Sequence, residues 1–191
     1  MTLIYLAGPE VFLPNAVEQG AAKKALCEQY GFKGLYPLDA ELDPDAYDSP
    51  QAMAFAISRG NEQLIQQADV IIANLTPFRG VSADVGTVYE LGLARGLGKT
   101  LLAYSNDVRP FAERSYAMFG PAEAVYSASG ELAMIDRDGN SIEDFSLSDN
   151  LMIEGGIQLA KGRFMTQESS AAERLTDLSG FEALLQWLAA G

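Results

Sequence analysis

Apolar, β-rich runs alternate with segments of helix length, and this alternation constrains the fold more than any other feature of the sequence. The run DVIIANL (69–75) is almost free of polar side chains, and TLIYLAG (2–8) has the same character. Strands that are apolar on both faces and separated by helices are typical of a parallel sheet covered on two sides. We therefore predict a three-layer α/β fold of the Rossmann or flavodoxin-like type, with about five parallel strands and helices on both faces.

The same reading assigns the other elements and leaves one segment outside the alternation. Residues 106–148 interrupt the pattern, and their two short alternating runs around Asp138-Gly139 favour a β-hairpin. We expect one domain over 1–191, with 106–148 as an insertion and 149–164 as a helix at a subunit interface. Strands are predicted at 2–8, 34–38, 69–75 and 100–105, with a less marked one at 162–166, and helices at 15–31, 51–68, 82–98, 150–164 and 180–190.

Charge and residue usage exclude several classes of partner. The 191 residues carry a formal net charge of −13, whereas proteins that bind nucleic acid place clustered Lys and Arg on the phosphates. No apolar run reaches the roughly 18 residues of a membrane span, and the first residues lack the basic region of a signal peptide. The single cysteine, Cys27, fits a reducing compartment. We predict no nucleic-acid or membrane partner and a cytoplasmic location.

The sequence contains no histidine, which is both the usual acid–base residue and the most common metal ligand. A catalytic site must therefore use carboxylates, Tyr, Lys, Arg or hydroxyl groups. Gly98-Lys99-Thr100 resembles the end of a phosphate-binding loop, but Leu93 stands where that loop needs Gly, and the tripeptide follows a helix instead of opening one. DRDGN (136–140) is followed by Ser141, where a calcium loop requires Gly. We expect no metal and no organic cofactor.

Two carboxylates stand out in the segment FRGVSADVGTVYELGLA (78–94). It follows the strand 69–75 at its carboxyl end, where open α/β sheets bind ligands. Asp84 lies at or just before the start of a helix, so it is either an N-cap or a residue of the site. Glu90 has uncharged neighbours, and a buried carboxylate without partners is costly. Glu90 is therefore either a structural, hydrogen-bonded residue or a residue directed into a functional cleft.

Three segments resemble the nucleoside 2-deoxyribosyltransferase family in their order and spacing. They are IYLAGPEVF (4–12), NEQLIQQADVIIANLTPFRGVSADVGTVYELGLA (61–94) and DNLMI (149–153). The most specific part is the Asp-x5-Glu element after Pro-Phe-Arg-Gly, combined with the Tyr-Leu-Ala-Gly-Pro near the start. The resemblance covers most of 3–105, whereas 106–148 matches little of the family pattern.

This resemblance implies transfer of 2-deoxyribose between nucleobases by a ping-pong, retaining double displacement. Glu90 matches the family's nucleophile, which attacks C1′ of a 2′-deoxynucleoside, releases the base and holds the sugar as a covalent ester. Such chemistry needs neither histidine nor a metal. Tyr5 matches the tyrosine that orients this glutamate, although a core tyrosine with a satisfied hydroxyl group is the other interpretation. Asp84 matches the aspartate that contacts the base and handles its ring proton.

The resemblance also implies five substrate-binding residues. Phe12 is placed to stack on a base, and Asn61 stands where some members have a second base-contacting aspartate. Arg79 either closes a loop through hydrogen bonds to the backbone or faces the ligand. Asn150 and Met152 match an Asn-x-Met element that reaches into the neighbouring subunit's site on the 5′ side of the deoxyribose. The resemblance thus implies a homo-oligomer, at least a dimer, acting on deoxynucleosides and free nucleobases.

Two other functions stay open from the sequence. A 2′-deoxynucleoside 5′-monophosphate N-glycosidase would use the same glutamate but pass the sugar to water, and Ser148 offers a hydroxyl group near the 5′ element. A non-catalytic nucleoside-binding module would use the same scaffold, because a fold alone does not determine a function.

Overall fold

The structure, a computed structural model, describes residues 1–39, 43–120, 123–126, 130 and 132–191. Short 3₁₀ turns lie at Pro9–Phe12, Pro37–Asp39 and Pro44–Ala46. The strands are β1 (Leu3–Ala7), β2 (Lys33–Leu35), β3 (Val70–Asn74), β4 (Thr100–Ser105), β5 (Glu123–Tyr126), β6 (Leu132–Ile135) and β7 (Arg163–Thr166). The helices are α1 (Ala16–Gln29), α2 (Pro50–Gln67), α3 (Val85–Gly96), α4 (Phe111–Phe119), α5 (Leu151–Leu159) and α6 (Ser179–Ala189).

Five strands form a parallel sheet in the order β2-β1-β3-β4-β7. The central strand β3 is buried along its whole length, which accounts for the absence of charged side chains from it. Ile71 of this strand stands opposite Tyr5 of β1 and Leu101 of β4. The predicted parallel sheet is confirmed, and the less marked strand at 162–166 is observed as β7.

Alternate side chains of the strands pack on two separate helical layers. On one face, Tyr5, Ile71 and Leu101 form a cluster with α2, α3 and α5. On the other face, Ile4 and Ile72 form a cluster with α1 and α6. The predicted three-layer arrangement is therefore confirmed. Within the described residues, no helix combines the length and the apolar character that a bilayer crossing requires.

Helix α5 ends earlier than predicted. The helix expected at 150–164 ends at Leu159, and the last part of that segment belongs to β7 instead. The reversal uses Lys161 at φ 57° and Gly162, where an added Cβ would lie 2.1 Å from the backbone oxygen of Leu101. Because only glycine permits so close an approach, the backbone at Gly162 can run directly alongside β4.

The segment 106–148 contains α4, a helix that the sequence analysis did not predict, together with a hairpin. The antiparallel pair β5–β6 lies before Asp138-Gly139 rather than around it. The dipeptide nevertheless reverses the chain, with Gly139 at φ 84° and Asp136 Oδ1 accepting backbone N–H groups of the turn. Beyond this turn the pairing continues only as an isolated bridge between Ile135 and Ser141.

Candidate active site

The Tyr5 and Glu90 side chains form the centre of the candidate site. Tyr5 is fully buried in β1, and its hydroxyl group donates a hydrogen bond of 2.6 Å to Glu90 Oε1. Glu90 lies in the second turn of α3, which packs on β1, β3 and β4. Tyr5 is thus a core tyrosine with a satisfied hydroxyl group, and the group that satisfies it is Glu90 itself.

Glu90 lines a cleft of about 290 Å³ beyond the carboxyl end of β1. Ligand sites are commonly of this kind, largely apolar with a few converging polar groups. The apolar wall includes Val11, Phe12, Pro37, Leu38 and Ile57, and the polar side chains are Asn61, Asp84, Thr87 and Glu90. The structure thus brings Phe12, Asn61 and Asp84 together around Glu90, with Tyr5 directly behind it.

The structure shows Asp84 as an N-cap that also lines the cleft, and its role in the reaction stays a prediction. Its Oδ2 accepts hydrogen bonds from the Thr87 backbone N–H at 2.9 Å and from Thr87 Oγ1 at 3.1 Å, so it caps the N-terminus of α3. The same side chain lines the cleft. Among the hydrogen bonds of the described residues, none engages Oδ1. One oxygen therefore fixes the start of the helix, while the other is available to a ligand.

The surroundings of Glu90 disfavour its charged form. Burial raises the pKa of Glu90 to about 7, the hydrogen bond from Tyr5 opposes this, and the negative charge of Asp84 adds to it. Burial and the neighbouring Glu90 also raise the pKa of Tyr5 well above its ordinary range, so Tyr5 keeps its proton and acts as a donor. A carboxyl group with a pKa near neutrality in a cleft is typical of catalytic sites.

Arg79 packs against two aromatic rings, one of which belongs to the cleft wall. Its guanidinium carbon is 5.0 Å from the centre of the Phe12 ring and 4.7 Å from that of Phe78, within the range of a cation–π contact. The two rings stack with centres 5.5 Å apart and an interplanar angle of 11°. Arg79 has φ 56°, a left-handed conformation. Arg79 thus packs on Phe12, which itself lines the cleft, and its contact with a ligand or with loop backbone stays a prediction.

Asn150 and Met152 lie away from the cleft of their own chain. Asn150 caps α5, since its Oδ1 accepts the Met152 backbone N–H at 3.0 Å, and its Nδ2 donates to Glu143. The Met152 side chain is 68% exposed and lines a separate apolar pocket of about 220 Å³ between α3 and α5. Their contribution to a neighbouring subunit's site stays a prediction.

A buried ion pair supports the wall of the cleft, and the sequence analysis missed it. Glu10 and Lys23 are both fully buried and paired with each other. Glu10 Oε1 also accepts hydrogen bonds from Asn74 at 2.8 Å and from the Tyr104 hydroxyl at 3.1 Å. Its Oε2 fills the space where a Cβ on Gly8 would lie, at 1.9 Å. A charged residue directly after an apolar strand was the available signal for Glu10, whereas Lys23 lies in a polar helix and gave none.

Comparison with known proteins gives a consistent assignment. The model of the family described as nucleoside 2-deoxyribosyltransferase matches residues 4–152. An uncharacterized protein of Schizosaccharomyces pombe, C191.05c, is 31% identical over 165 residues, which cover 83% of this chain and 78% of that relative.

Solved structures of other proteins share this architecture. A 2-desoxiribosyltransferase from Leishmania mexicana is 29% identical and superimposes with a TM-score of 0.65, over 100% of this chain and 98% of its own. A CMP N-glycosidase from Clostridium botulinum, BcmB, is 12% identical with a TM-score of 0.50 over the whole of both chains, a likeness of fold alone.

Proposed function

Because the chain belongs to the nucleoside 2-deoxyribosyltransferase family and is an enzyme of that family, we propose that it moves 2-deoxyribose between nucleobases through a covalent intermediate on Glu90. The observation that carries the proposal is the Tyr5–Glu90 hydrogen bond beside a cleft, with the pKa of Glu90 raised to about 7. The similarity over the full chain to a 2-desoxiribosyltransferase supports the choice of reaction.

In the first half-reaction, a carboxylate oxygen of Glu90 attacks C1′ of the deoxynucleoside. The C1′–N bond breaks, its electron pair passes to the departing base, and the base gains a proton from Asp84, which enters this half-reaction as the protonated acid and leaves it as a carboxylate. The product is a free base and a deoxyribosyl ester of Glu90. Since the attack inverts C1′ and the second attack inverts it again, the configuration is retained overall.

In the second half-reaction, a ring nitrogen of an incoming base attacks the same carbon. The ester bond breaks, Glu90 regains its carboxylate, and Asp84 takes the ring proton of the incoming base. Asp84 is thus acid in one direction and base in the other. Its Oδ1, which faces no partner among the described hydrogen bonds, is the oxygen suited to this exchange.

Tyr5 orients the nucleophile in this scheme. It donates to Glu90 Oε1 at 2.6 Å, which leaves Oε2 to attack C1′. The same hydrogen bond stabilises the carboxylate that leaves in the second half-reaction, as a preorganised donor does for any developing negative charge. The pKa of Tyr5 is raised above its ordinary range, so the group stays protonated throughout.

The apolar wall and Asn61 recognise the base. Phe12 offers an aromatic surface whose orientation is supported by Phe78 and Arg79. Asn61 carries both a donor and an acceptor, so it can pair with the edge of a base that presents both groups. The partners in this proposal are free deoxynucleosides and nucleobases, and no metal or organic cofactor takes part. The buried, unpaired Cys27 supports a reducing, cytoplasmic setting.

The proposal includes a homo-oligomer, at least a dimer, with sites shared between subunits. Asn150 and Met152 lie outside the cleft of their own chain, and Met152 is largely exposed. In the oligomer these residues contact the deoxyribose of the neighbouring subunit on its 5′ side.

An exchange assay tests the reaction directly. The enzyme is incubated with deoxyadenosine or with deoxyadenosine monophosphate, each with and without cytosine as acceptor. We expect formation of deoxycytidine from the nucleoside and slower release of base without an acceptor. Fast cleavage of the monophosphate by water alone would overturn the transfer reaction in favour of an N-glycosidase.

A mass measurement tests the intermediate. Intact protein quenched during turnover should gain the mass of one deoxyribosyl group, and Glu90→Gln should gain none. An adduct that persists in Glu90→Gln would show that another residue is the nucleophile. A protein that binds deoxynucleosides, forms no adduct and exchanges no base would be a binding module.

A further inference from the structure

The Asp149 carboxylate joins two loops that come from distant parts of the sequence. Its Oδ2 accepts the backbone N–H of Ala83 at 2.8 Å, and its Oδ1 accepts the hydroxyl group of Ser82 and the backbone N–H of Asn150 at 2.7 Å. Asp149 is 2% exposed. Ala83 directly precedes Asp84, so both oxygens of this buried carboxylate hold the chain next to the proposed proton donor.

A second buried side chain, Arg114 of α4, is hydrogen-bonded to the same two loops. Its Nε donates to the Val81 carbonyl oxygen at 2.8 Å, and its Nη2 donates to the carbonyl oxygen of Ser148. Burial lowers the pKa of Arg114, while the charge of Asp149 counteracts this effect. Charge-assisted hydrogen bonds of this kind are stronger than neutral ones, so the four-residue stretch before α3 is held rigidly.

Asp84 is held between helix α3 and this attachment. Among the described residues, the hydrogen bonds of its side chain all come from Thr87, a residue of its own helix, to Oδ2. The backbone oxygen of Asp84 accepts the Val88 N–H at 3.0 Å, so α3 fixes Asp84 on its C-terminal side, and the preceding residues fix it on its N-terminal side. Those residues, Ser82 and Ala83, are hydrogen-bonded to Asp149.

We propose that Asp149 is a positioning residue that holds Asp84 where it exchanges a proton with the nucleobase. The inference rests on the proposed function and adds a residue to it. Asp149 does not touch the substrate. It acts through Ser82 and Ala83, and Arg114 supports it. Loss of the Asp149 carboxylate should therefore resemble loss of the acid function of Asp84, rather than a general loss of activity.

A leaving-group comparison separates these two effects. 2′-Deoxyguanosine needs a proton on its base when the C1′–N bond breaks, whereas N7-methyl-2′-deoxyguanosine releases a neutral base without one. If the enzyme accepts only pyrimidines, 2′-deoxyuridine and 5-fluoro-2′-deoxyuridine form the equivalent pair, because the fluorinated base departs more readily as an anion. The measured quantity is kcat/KM for release of the base, with the enzyme-free rate subtracted.

We expect Asp149→Ala to lower kcat/KM for the substrate that needs the proton by about tenfold or more, since general acid catalysis commonly contributes at least that factor. The activated substrate should change by less than about threefold, and Asp84→Asn should show the same selectivity. Asp149→Asn should restore part of the rate, because its oxygen still accepts the Ala83 N–H and its amide can donate to Ser82 Oγ, whereas the amide group no longer accepts the Asn150 N–H.

Asp177→Ala is the matched control. Asp177 precedes α6 in the other helical layer and likewise accepts one backbone N–H and hydroxyl hydrogens, from Ser179 and Ser169. Its loss should affect both substrates equally. If Asp149→Ala does not fold, Ser82→Ala removes one of the contacts and should give a smaller loss with the same selectivity.

Equal losses on the two substrates in Asp149→Ala, or in Ser82→Ala where the former does not fold, would overturn the inference. An Asp84→Asn variant without selectivity would overturn it as well, because Asp84 would then not be the acid. A wild-type enzyme that releases neither base would instead refute the proposed function.

Discussion

The carboxyl group of Glu90 is placed where its protonation state changes close to neutral pH. Burial and Asp84 raise its pKa to about 7, and the hydrogen bond from Tyr5 limits the rise. A nucleophile must be ionised, so the same burial that makes Glu90 reactive toward C1′ also limits the fraction of enzyme that is active at low pH. Two neighbours thus act on one residue in opposite directions.

The pH profile should report this balance. As pH falls through about 7, Glu90 gains a proton and kcat/KM should fall with it. Tyr5→Phe removes the hydrogen bond that lowers the pKa, so the acid limb should move to higher pH. Asp84→Asn removes the charge that raises the pKa, so its acid limb should move to lower pH. Shifts in the same direction for both variants would contradict this assignment.

The same group should make stability depend on pH. The pKa of Glu90 is raised from an ordinary 4.5 to about 7 on folding, so the folded protein keeps a proton that the unfolded chain loses between these values. The stability that this proton provides is fully present below 4.5 and is lost as pH rises through 7. Gln is neutral throughout, so Glu90→Gln should raise Tm relative to wild type more at pH 8 than at pH 5.

Thermal unfolding at the two pH values measures this difference, with a shift of about 2–4 °C expected per kcal/mol. Glu18→Gln, on the exposed surface of α1, is the control and should show no such pH dependence. A constant Tm difference for Glu90→Gln across this range would show that Glu90 is not buried in the way described.

Between α5 and β7, the chain turns at Gly162, whose backbone lies directly against the backbone of β4. The space beside Gly162 is occupied by the Leu101 carbonyl group of β4, which cannot move without disturbing the central sheet. This local constraint overrides the helical preference that the sequence expresses up to residue 164. Gly155, within the same helix, has open space around it.

These two glycines should respond oppositely to the same substitution. Gly162→Ala places a Cβ 2.1 Å from the Leu101 oxygen and should destabilise the protein by about 1–3 kcal/mol. Gly155→Ala should stabilise it by about 0.5–1 kcal/mol, because alanine is the better helix former and meets no atom within 4 Å. Denaturant unfolding of both variants gives the comparison. A neutral Gly162→Ala would mean that the β4–β7 pairing adjusts easily.

The strands and the centre of the site could be predicted from the sequence, because burial of a strand is visible in its residues. Strand β3 is buried on both faces and β1 nearly so, and a run of apolar residues reports that directly. Tyr5 and Glu90 were identified from a family pattern, and the structure places them in contact. Asp149 and Lys23 were missed, because their partners are distant in sequence and polar residues in loops or polar helices leave no periodic signal.

At the scale of the whole molecule, the residues assigned to substrate recognition fall into two groups. One group surrounds Glu90 within a single cleft, and the other, Asn150 and Met152, lies elsewhere on the same chain. In the dimer proposed above, a two-fold interface would bring the second group of each subunit to the first group of the other, since such an interface pairs the same surfaces reciprocally.

Subunit complementation tests this arrangement. Glu90→Gln and Asn150→Ala should each be nearly inactive as homodimers. Co-expressed, they form heterodimers in which one of the two sites has both native residues, so activity should recover to about a quarter of the wild-type rate for random pairing. Activity that stays at the level of the separate variants would mean that each chain builds its site alone.

The fixed turn at Pro9–Phe12 has a consequence for how base preference can change. Glu10 is clamped by Lys23, Asn74 and Tyr104, and the space at Gly8 is already filled by its carboxylate. The part of the cleft wall formed by this turn therefore cannot move to accommodate a larger or differently shaped base. Another part of the wall belongs to α2, where the side chains of Ile57 and Asn61 make no hydrogen bond or ion pair among the described residues, so new specificities are best sought by randomising these two positions.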